Sequence, residues 1–398
     1  MADKKVYRAS TTAPVNIAVI KYWGKRDTAL NLPTNSSISV TLSQSDLRTH
    51  TTASCSASYP PQDTLLLNKT PHPVTSARTQ ACLRALRSLR HALEASDPTL
   101  PPLSTYPLKI VSENNFPTAA GLASSAAGLA ALVRAIADLY TLPATPTELS
   151  IIARQGSGSA CRSLFGGYVA WRMGTRADGE DSIAESVAPL SHWPTMRALI
   201  LVVSAEAKGV SSTSGMQATV QTSSLFPIRA TDVVPRRMEA MEKAILDRDF
   251  DAFARITMRE SNSFHATCLD TEPPIFYMND VSRAAVRVVE GINKRAGKVI
   301  AAYTFDAGPN AVIYFLEESA GEVLSAFKGA LGRKEGWVKE KEEVVKVGGV
   351  EVNEEDLDRK ALTALEGGVS RVIFTRVGEG PVSVEEHLVG EDGEPVGK

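Results

Sequence analysis

The sequence predicts a mixed α/β protein of two domains, and three observations carry that prediction. The chain has 398 residues, a length that suits two domains better than one or three. Strand-like runs recur along it: SSISVTL at 36–42 and residues 47–56 early, ALILVV at 198–203, VIAAYTF at 299–305 and AVIYFL at 311–316 late. Between them lie stretches with apolar residues at helical spacing, clearest at 75–95 and from Leu129 to Leu139. The run ALILVV starts the second half. The boundary is therefore placed near residue 196, after His192-Trp193-Pro194, giving domains 1–196 and 197–398.

Taken in order, residues 6–20 read as a strand entering a loop, and Leu65 to Leu67 begins another strand near the turn at Pro71 and Pro73. Residues 75–95 form a basic amphipathic helix with Leu83, Leu86, Leu89 and Leu93 inward, and with Arg78 in its first turn. A loop follows at 97–107, then a strand at 108–111. Thr145-Pro146-Thr147-Glu148 combines an N-cap, a first-turn proline and an acid at the third position, so a helix starts there and ends near Gln155. GSGSACRS reads as a glycine-serine connector, GGYVAWRMG as a strand, and 175–182 as a polar turn. In the second half a polar loop at 208–216 opens a helix, and further helices cover 232–247, 249–266 and 280–295. Residues 333–360, dense in Lys and Glu, form a solvated excursion. Residues 371–377 return as a strand, and the acidic tail is expected to fray.

Hydrophobic residues make up 43% of the chain and charged residues 22%, as in a globular protein. The net charge of −2 gives no overall attraction to nucleic acid or to an acidic membrane, so an anionic ligand must be held by a local cluster of cations. No apolar run approaches the roughly 18 residues that span a bilayer. The start MADKKVYRASTTAPVN lacks the apolar core of a secretion signal. Cys55, Cys82, Cys161 and Cys268 form no CxxC pair, and a cytoplasmic location is expected.

Three stretches carry chemistry. The first is PTAAGLASSAAGLAALVRAIADLY, from Pro117 to Tyr140, a loop of small residues running into a buried helix. The first N–H groups of a helix have no internal partner and carry the positive end of its dipole. Small side chains at Ala120, Gly121 and Ala123, with the hydroxyls of Ser124 and Ser125, would let a phosphate approach them. A helix packed closely through small residues would show the same pattern. The second stretch, TAPVNIAVIKYWGKRD, gathers Asn16, Lys21, Tyr22, Trp23, Lys25 and Arg26; a lysine directly after the apolar AVI run is half-buried and needs an anionic partner. The third is Asp306-Ala307-Gly308-Pro309-Asn310, a tight turn between two apolar strands, where an aspartate can be a cap or a reactive carboxylate. His265 and Cys268 could seed a metal site, but one pair is half a site, and no metal ligand is assigned.

The proline turn, glycine and Ser-Ser-Ala resemble the second motif of the GHMP kinase superfamily, and the window VSENNFPTAAGLASSAAGLAAL resembles its diphosphomevalonate decarboxylase branch. The match continues through Gly24-Lys25-Arg26-Asp27, NLPTNSSISVTLSQ and SNSFHATCLDTEPPIFYMND, and DAGPN replaces the glycine-rich third motif of the superfamily's kinases, as in that branch. Ser45 departs from the acid expected there. The resemblance implies an N-terminal ribosomal protein S5 domain 2-like domain and a C-terminal ferredoxin-like domain, with the active site in the cleft. It implies ATP-dependent decarboxylation of (R)-5-diphosphomevalonate, with Mg²⁺ held mainly through substrate phosphates, and a homodimer. Asp306, Lys21 and Arg162 would be catalytic: Asp306 as general base, Lys21 holding it ionised, Arg162 gripping the carboxylate. Asn16, Tyr22, Trp23, Gly24, Lys25, Arg78, Ser157, Gly158, Ser159, Ala160, Cys161 and Thr213 would bind substrate, and Pro117, Ala120, Gly121, Ala123, Ser124 and Ser125 the ATP phosphates. A small-molecule kinase that stops at the phosphorylated alcohol, or a non-catalytic sensor on the same fold, are the alternatives.

Overall fold

The computed structural model describes residues 5–116, 124–203, 209–337 and 357–396. Its N-terminal half is built on two sheets. Alternating small, hydroxyl and apolar residues let Tyr7–Pro14 pair antiparallel with Arg48–Cys55 along their full lengths, and Arg48–Cys55 pairs in turn with Leu108–Asn114. Thr64–Leu67 lies parallel to Leu108–Asn114, and Thr70–His72 closes that edge. The helix Ser124–Leu139 packs on Tyr7–Pro14 and Arg48–Cys55 through buried Ala126, Ala127, Ala130, Ala131, Val133 and Ile136. The second sheet is antiparallel, in the order Ala184–Ala188, Tyr168–Trp171, Ser37–Thr41, Asn16–Ile20.

The C-terminal half has one antiparallel sheet in the order Ala301–Phe305, Ala311–Leu316, Met196–Val203, Val369–Arg376. The helices Val234–Asp247, Phe250–Leu269, Asp280–Ala296, Ala320–Leu331 and Arg359–Gly368 bury their apolar faces with it. The largest apolar cluster is shared between the halves: Ile17, Val40 and Tyr168 belong to the same core as Ile200, Tyr314 and Phe253.

The expected helix starts are present with their caps. Thr145 and Glu148 form the full reciprocal box ahead of Pro146–Gly156, and Ser76 caps Ala77–Ser96. Within Ala77–Ser96 the expected inward face is partly wrong. Leu83 and Leu86 are buried, but Leu89 is 43% exposed while Arg90 is 1% exposed. Arg90 is held inside because its guanidinium donates to the carbonyls of Tyr140 and Pro101 and to Glu94 Oε1. The GSGSACRS connector contains a 3₁₀ helix, Gly158–Leu164.

The tail also departs from expectation. Val377 and Gly378 run beside Thr41 and Leu42, with Gly378 N–H donating to Thr41 O at 2.9 Å. Val382–Val384 then adds to the first sheet as an edge strand on Tyr7–Pro14. Beyond it, Leu388 N–H donates to Thr52 Oγ1, Arg8 to Val389 O, and Lys109 to Gly393 O. The tail is thus held largely by its backbone, and the exposed Glu391 and Glu394 add ion pairs to Arg8 and Lys109. Most of the charged 333–360 stretch, with the phosphate-loop positions Pro117, Ala120, Gly121 and Ala123, lies outside the described residues.

Candidate active site

Lys21 and Asp306 meet between the halves. Lys21 follows Asn16–Ile20, whose pairing with Ser37–Thr41 shifts register between Ala18 and Ile20. Such an irregularity re-aims the side chains that follow it. Asp306 begins the turn between Ala301–Phe305 and Ala311–Leu316. That turn is pinned on three sides: Phe305 N–H donates to Ser261 Oγ, Ser282 Oγ to Pro309 O, and Val203 N–H to Asn310 Oδ1. Lys21 Nζ lies 2.6 Å from Asp306 Oδ1; the lysine side chain is 3% exposed and the aspartate side chain 40%. Burial pulls the Lys21 ammonium below its ordinary pKa, while Asp306, and further off Glu260, oppose that shift.

The pair opens onto a cavity of about 560 Å³. Of the residues expected to bind substrate, Asn16, Tyr22, Trp23, Lys25, Arg78, Ser157, Gly158, Ser159, Arg162 and Thr213 line it, and Ser124 and Ser125 line it from the first described turn of their helix. Gly24, Ala160 and Cys161 do not line it. Gly24 has φ +90°, and a Cβ there would strike Phe226 and Thr34. Ala160 and Cys161 are fully buried behind the loop, with burial pushing the Cys161 thiol up to about 12. Trp23 serves mainly as a pillar, donating to Thr219 Oγ1 and packing edge-on against Phe264 and Tyr277.

Four cations, Lys21, Lys25, Arg78 and Arg162, share this cavity with the Asp306 carboxylate. Lys25 is pulled down to about 8, first by burial and then by the charge of Arg78. Arg162 is 1% exposed. Its Nε donates to Asn16 Oδ1 and Ser39 Oγ, and its Nη1 to Ser37 Oγ. Among the described residues, Lys25, Arg78 and Arg162 form no ion pair with a carboxylate. The guanidinium expected to grip a carboxylate is thus partly committed to the protein, and Nη2 is the group without a described protein partner. Asn16 also ties the glycine-serine loop down, donating to Ser159 O and Ser163 Oγ. Gly158 is required by contact: a Cβ would lie 2.8 Å from the Tyr22 ring and 2.9 Å from Trp171. Packed there, the Tyr22 hydroxyl is buried with no hydrogen-bond partner among the described residues.

Phe264, Ser212 and the buried Glu260 are among the lining or supporting groups that sequence reasoning missed. Ser212, next to Thr213 at a helix start, was within reach of the sequence; the other two depend on tertiary packing. His265 and Cys268 do not form a metal site with any third ligand among the described residues; His265 packs against Phe264 and Phe305. No group of three or more His, Cys, Asp or Glu side chains among the described residues is placed to hold a metal. The Ser124 and Ser125 hydroxyls on the cavity wall fit an ion that takes most of its ligands from phosphates.

Comparison with known proteins follows the same outline. Residues 13–184 match the diphosphomevalonate decarboxylase-like N-terminal domain, and residues 198–384 match the mevalonate 5-diphosphate decarboxylase C-terminal domain. The diphosphomevalonate decarboxylase of Aspergillus fumigatus is 67% identical over 396 residues, covering 99% of this chain and 98% of that one. The chain belongs to the diphosphomevalonate decarboxylase family. A crystal structure of a mevalonate 5-diphosphate decarboxylase is 55% identical, with a TM-score of 0.88, over 96% of this chain and 98% of that one. A solved structure of MDDEF in complex with MVAPP, AMPPCP and magnesium is 29% identical, with a TM-score of 0.74, over 96% of this chain and 100% of that one. The two-domain α/β architecture of the decarboxylase family is thus the architecture of this chain. Among the described helices, none is long and apolar enough to cross a membrane.

Proposed function

We propose that this protein converts (R)-5-diphosphomevalonate and ATP into isopentenyl diphosphate, ADP, phosphate and carbon dioxide, in the mevalonate route to isoprenoids and sterols. The observation that carries the reading is the Lys21–Asp306 pair at the wall of a cavity whose other charged side chains are cations. The substrate offers a diphosphate, a carboxylate and a tertiary hydroxyl. Lys25 and Arg78, with the Tyr22 hydroxyl and Ser157, suit the diphosphate, and Arg162 Nη2 suits the carboxylate. Thr213 and Ser159 complete the polar wall.

The tertiary hydroxyl is a poor leaving group and is first phosphorylated. Asp306 takes the hydroxyl proton as the oxygen bonds to the γ-phosphorus of ATP and ADP departs. An ammonium at 2.6 Å favours the ionised form of that carboxylate. When phosphate leaves, positive charge grows on the tertiary carbon, and the same carboxylate faces it. The C–C bond to the carboxylate then breaks, carbon dioxide departs, and the electron pair forms the double bond. The phosphate loop ending at Ser124 and Ser125 would hold ATP, and bound Mg²⁺ would neutralise charge on its phosphates. Ser124 and Ser125 are the described groups that would hold the ion.

The division near residue 196 and a homodimer belong to the same reading; sedimentation at micromolar protein giving a monomer mass would remove the dimer. So does a cytosolic location, which four buried cysteines, all without a disulfide partner, support. The deciding experiment is incubation with ATP and diphosphomevalonate. Carbon dioxide, ADP and free phosphate in equal amounts are expected. ADP without carbon dioxide would make the protein a kinase, and binding without ADP a sensor.

A further inference from the structure

The main chain of Lys21 is held by side chains that the reaction does not use. Its N–H donates to Glu260 Oε1 at 3.2 Å. Its carbonyl accepts from Arg229 Nη2 at 3.2 Å and from Asn35 Nδ2 at 2.9 Å. Glu260 is fully buried on the helix Phe250–Leu269. Its Oε1 also accepts from Arg229 Nη2 at 2.5 Å, and its Oε2 from Arg237 Nη1 at 2.6 Å. Arg229 lies in a π turn, Arg229–Val233, ahead of the helix Val234–Asp247. A π turn is a costly interruption that tends to be kept where it places a side chain. Here it faces Arg229 inward, 2% exposed at its side chain.

A buried carboxylate flanked by two guanidiniums is a poor way to gain stability alone, because desolvation offsets most of the attraction. Its geometry suggests another use. We propose that Glu260 is a positioning residue for Lys21: clamped between Arg229 and Arg237, it fixes the Lys21 main chain and places a second negative charge, beside that of Asp306, near Lys21. The proposal rests on the catalytic reading of the Lys21–Asp306 pair.

The charges around Lys21 come from every neighbouring element. Asp306 approaches from its turn, Glu260 and His265 from the helix Phe250–Leu269, Arg162 from the 3₁₀ helix, and Arg229 and Arg237 from behind Glu260. Lys25 and Arg78 stand further along the cavity. His265 is neutral at working pH, since burial and then the Lys21 charge pull it down to about 4. Asp306 and Glu260 raise the Lys21 pKa and Arg162 lowers it. Removing the charge of Glu260 therefore makes Lys21 lose its proton at lower pH. Removing the charge of Arg237 does the reverse, by a smaller amount, because that side chain is part-exposed.

The test is the pH dependence of kcat with both substrates saturating, where bound diphosphate keeps Lys25 charged. Glu260→Gln keeps the shape and an acceptor for the Lys21 N–H. Its alkaline limb should move to lower pH, with kcat near pH 8 down about tenfold and KM within about twofold. Arg237→Gln should move the limb to higher pH. Opposite displacements support the proposal. Limbs that stay in place while only Tm falls, or that move together, would overturn it. If Glu260→Gln does not fold, Arg237→Gln decides alone: an upward displacement supports the clamp, and an unmoved or lowered limb refutes it. Absence of carbon dioxide release by the parent protein would instead overturn the catalytic reading itself.

Discussion

Lys25 and Arg78 crowd two cations against one cavity wall without a described carboxylate between them, and the affinity for the diphosphate should record that strain. Without ligand, burial and Arg78 hold Lys25 at about 8. A bound diphosphate brings negative charge beside it and returns it towards the ordinary lysine value of about 10.4. A group whose bound pKa is raised contributes fully below its free value, and the contribution is lost as pH rises from the free value to the bound one. Affinity should therefore be level below about pH 7 and fall above it. With a free value of about 8, the charged fraction drops about tenfold between about pH 7 and about pH 9, equivalent to about 1.4 kcal/mol. Lys25 is part-exposed, so screening by salt brings the expected loss to between about threefold and tenfold. The diphosphate's own last ionisation, at about 6 as in a phosphate monoester, is largely over before this window and does not mask it. Calorimetric titration of diphosphomevalonate into the protein across this pH range measures the effect directly. Lys25→Arg should flatten the curve, since a guanidinium stays charged throughout. A level affinity in the parent, or an equal slope in the arginine variant, would refute the reasoning.

Asp306→Asn keeps the size and removes basicity and charge, so kcat should fall at least ~10²–10⁴-fold with KM little changed, and phosphate and carbon dioxide release should fall together; near-normal turnover, or a loss traced to unfolding by a thermal melt, would return Asp306 to a turn cap. Arg162→Lys keeps the charge but loses the donors that hold Asn16, Ser37 and Ser39, so kcat/KM should fall about a hundredfold; steady-state kinetics equal to the parent's would contradict that. Gly158→Ala places a methyl 2.8 Å from the Tyr22 ring, so Tyr22 must shift; KM for diphosphomevalonate should rise several-fold, at about ten or less, with Tm lowered by a few degrees, and an unchanged KM would show that Tyr22 does not contact substrate.

Much of the site was legible because it is written in short, local patterns. Thr145 to Glu148 is a capping box in four residues, and it forms as such. The AVI run before Lys21 implied a half-buried cation in need of an anion; the lysine is buried outright, and the partner is Asp306. What local pattern could not supply was the reason a polar group tolerates burial. Arg90 beats Leu89 to the interior because the carbonyls of Tyr140 and Pro101, remote in sequence, wait for its donors. Glu260 looks like one more helix acid until Arg229 and Arg237 are seen around it. The tail reads as acidic and loose because composition reports side chains, whereas its hold on the first sheet is made largely by backbone groups.

That tail gives the chain a second crossing between its halves. The first crossing runs into Met196–Val203; the second leaves Val369–Arg376 and ends as Val382–Val384 on Tyr7–Pro14. A polypeptide that crosses once can swing like a door on one hinge, or be divided there into two independent pieces. One that crosses twice behaves as a closed loop. Residues 1–196 alone would present Tyr7–Pro14 as a bare sheet edge, ready to pair with another chain. In the whole protein, opening the cleft wide would have to stretch the run from Val377 to Val382 or peel that strand away. The pairing of Val382–Val384 with Tyr7–Pro14 therefore ties the two halves together at a second point, away from the cavity.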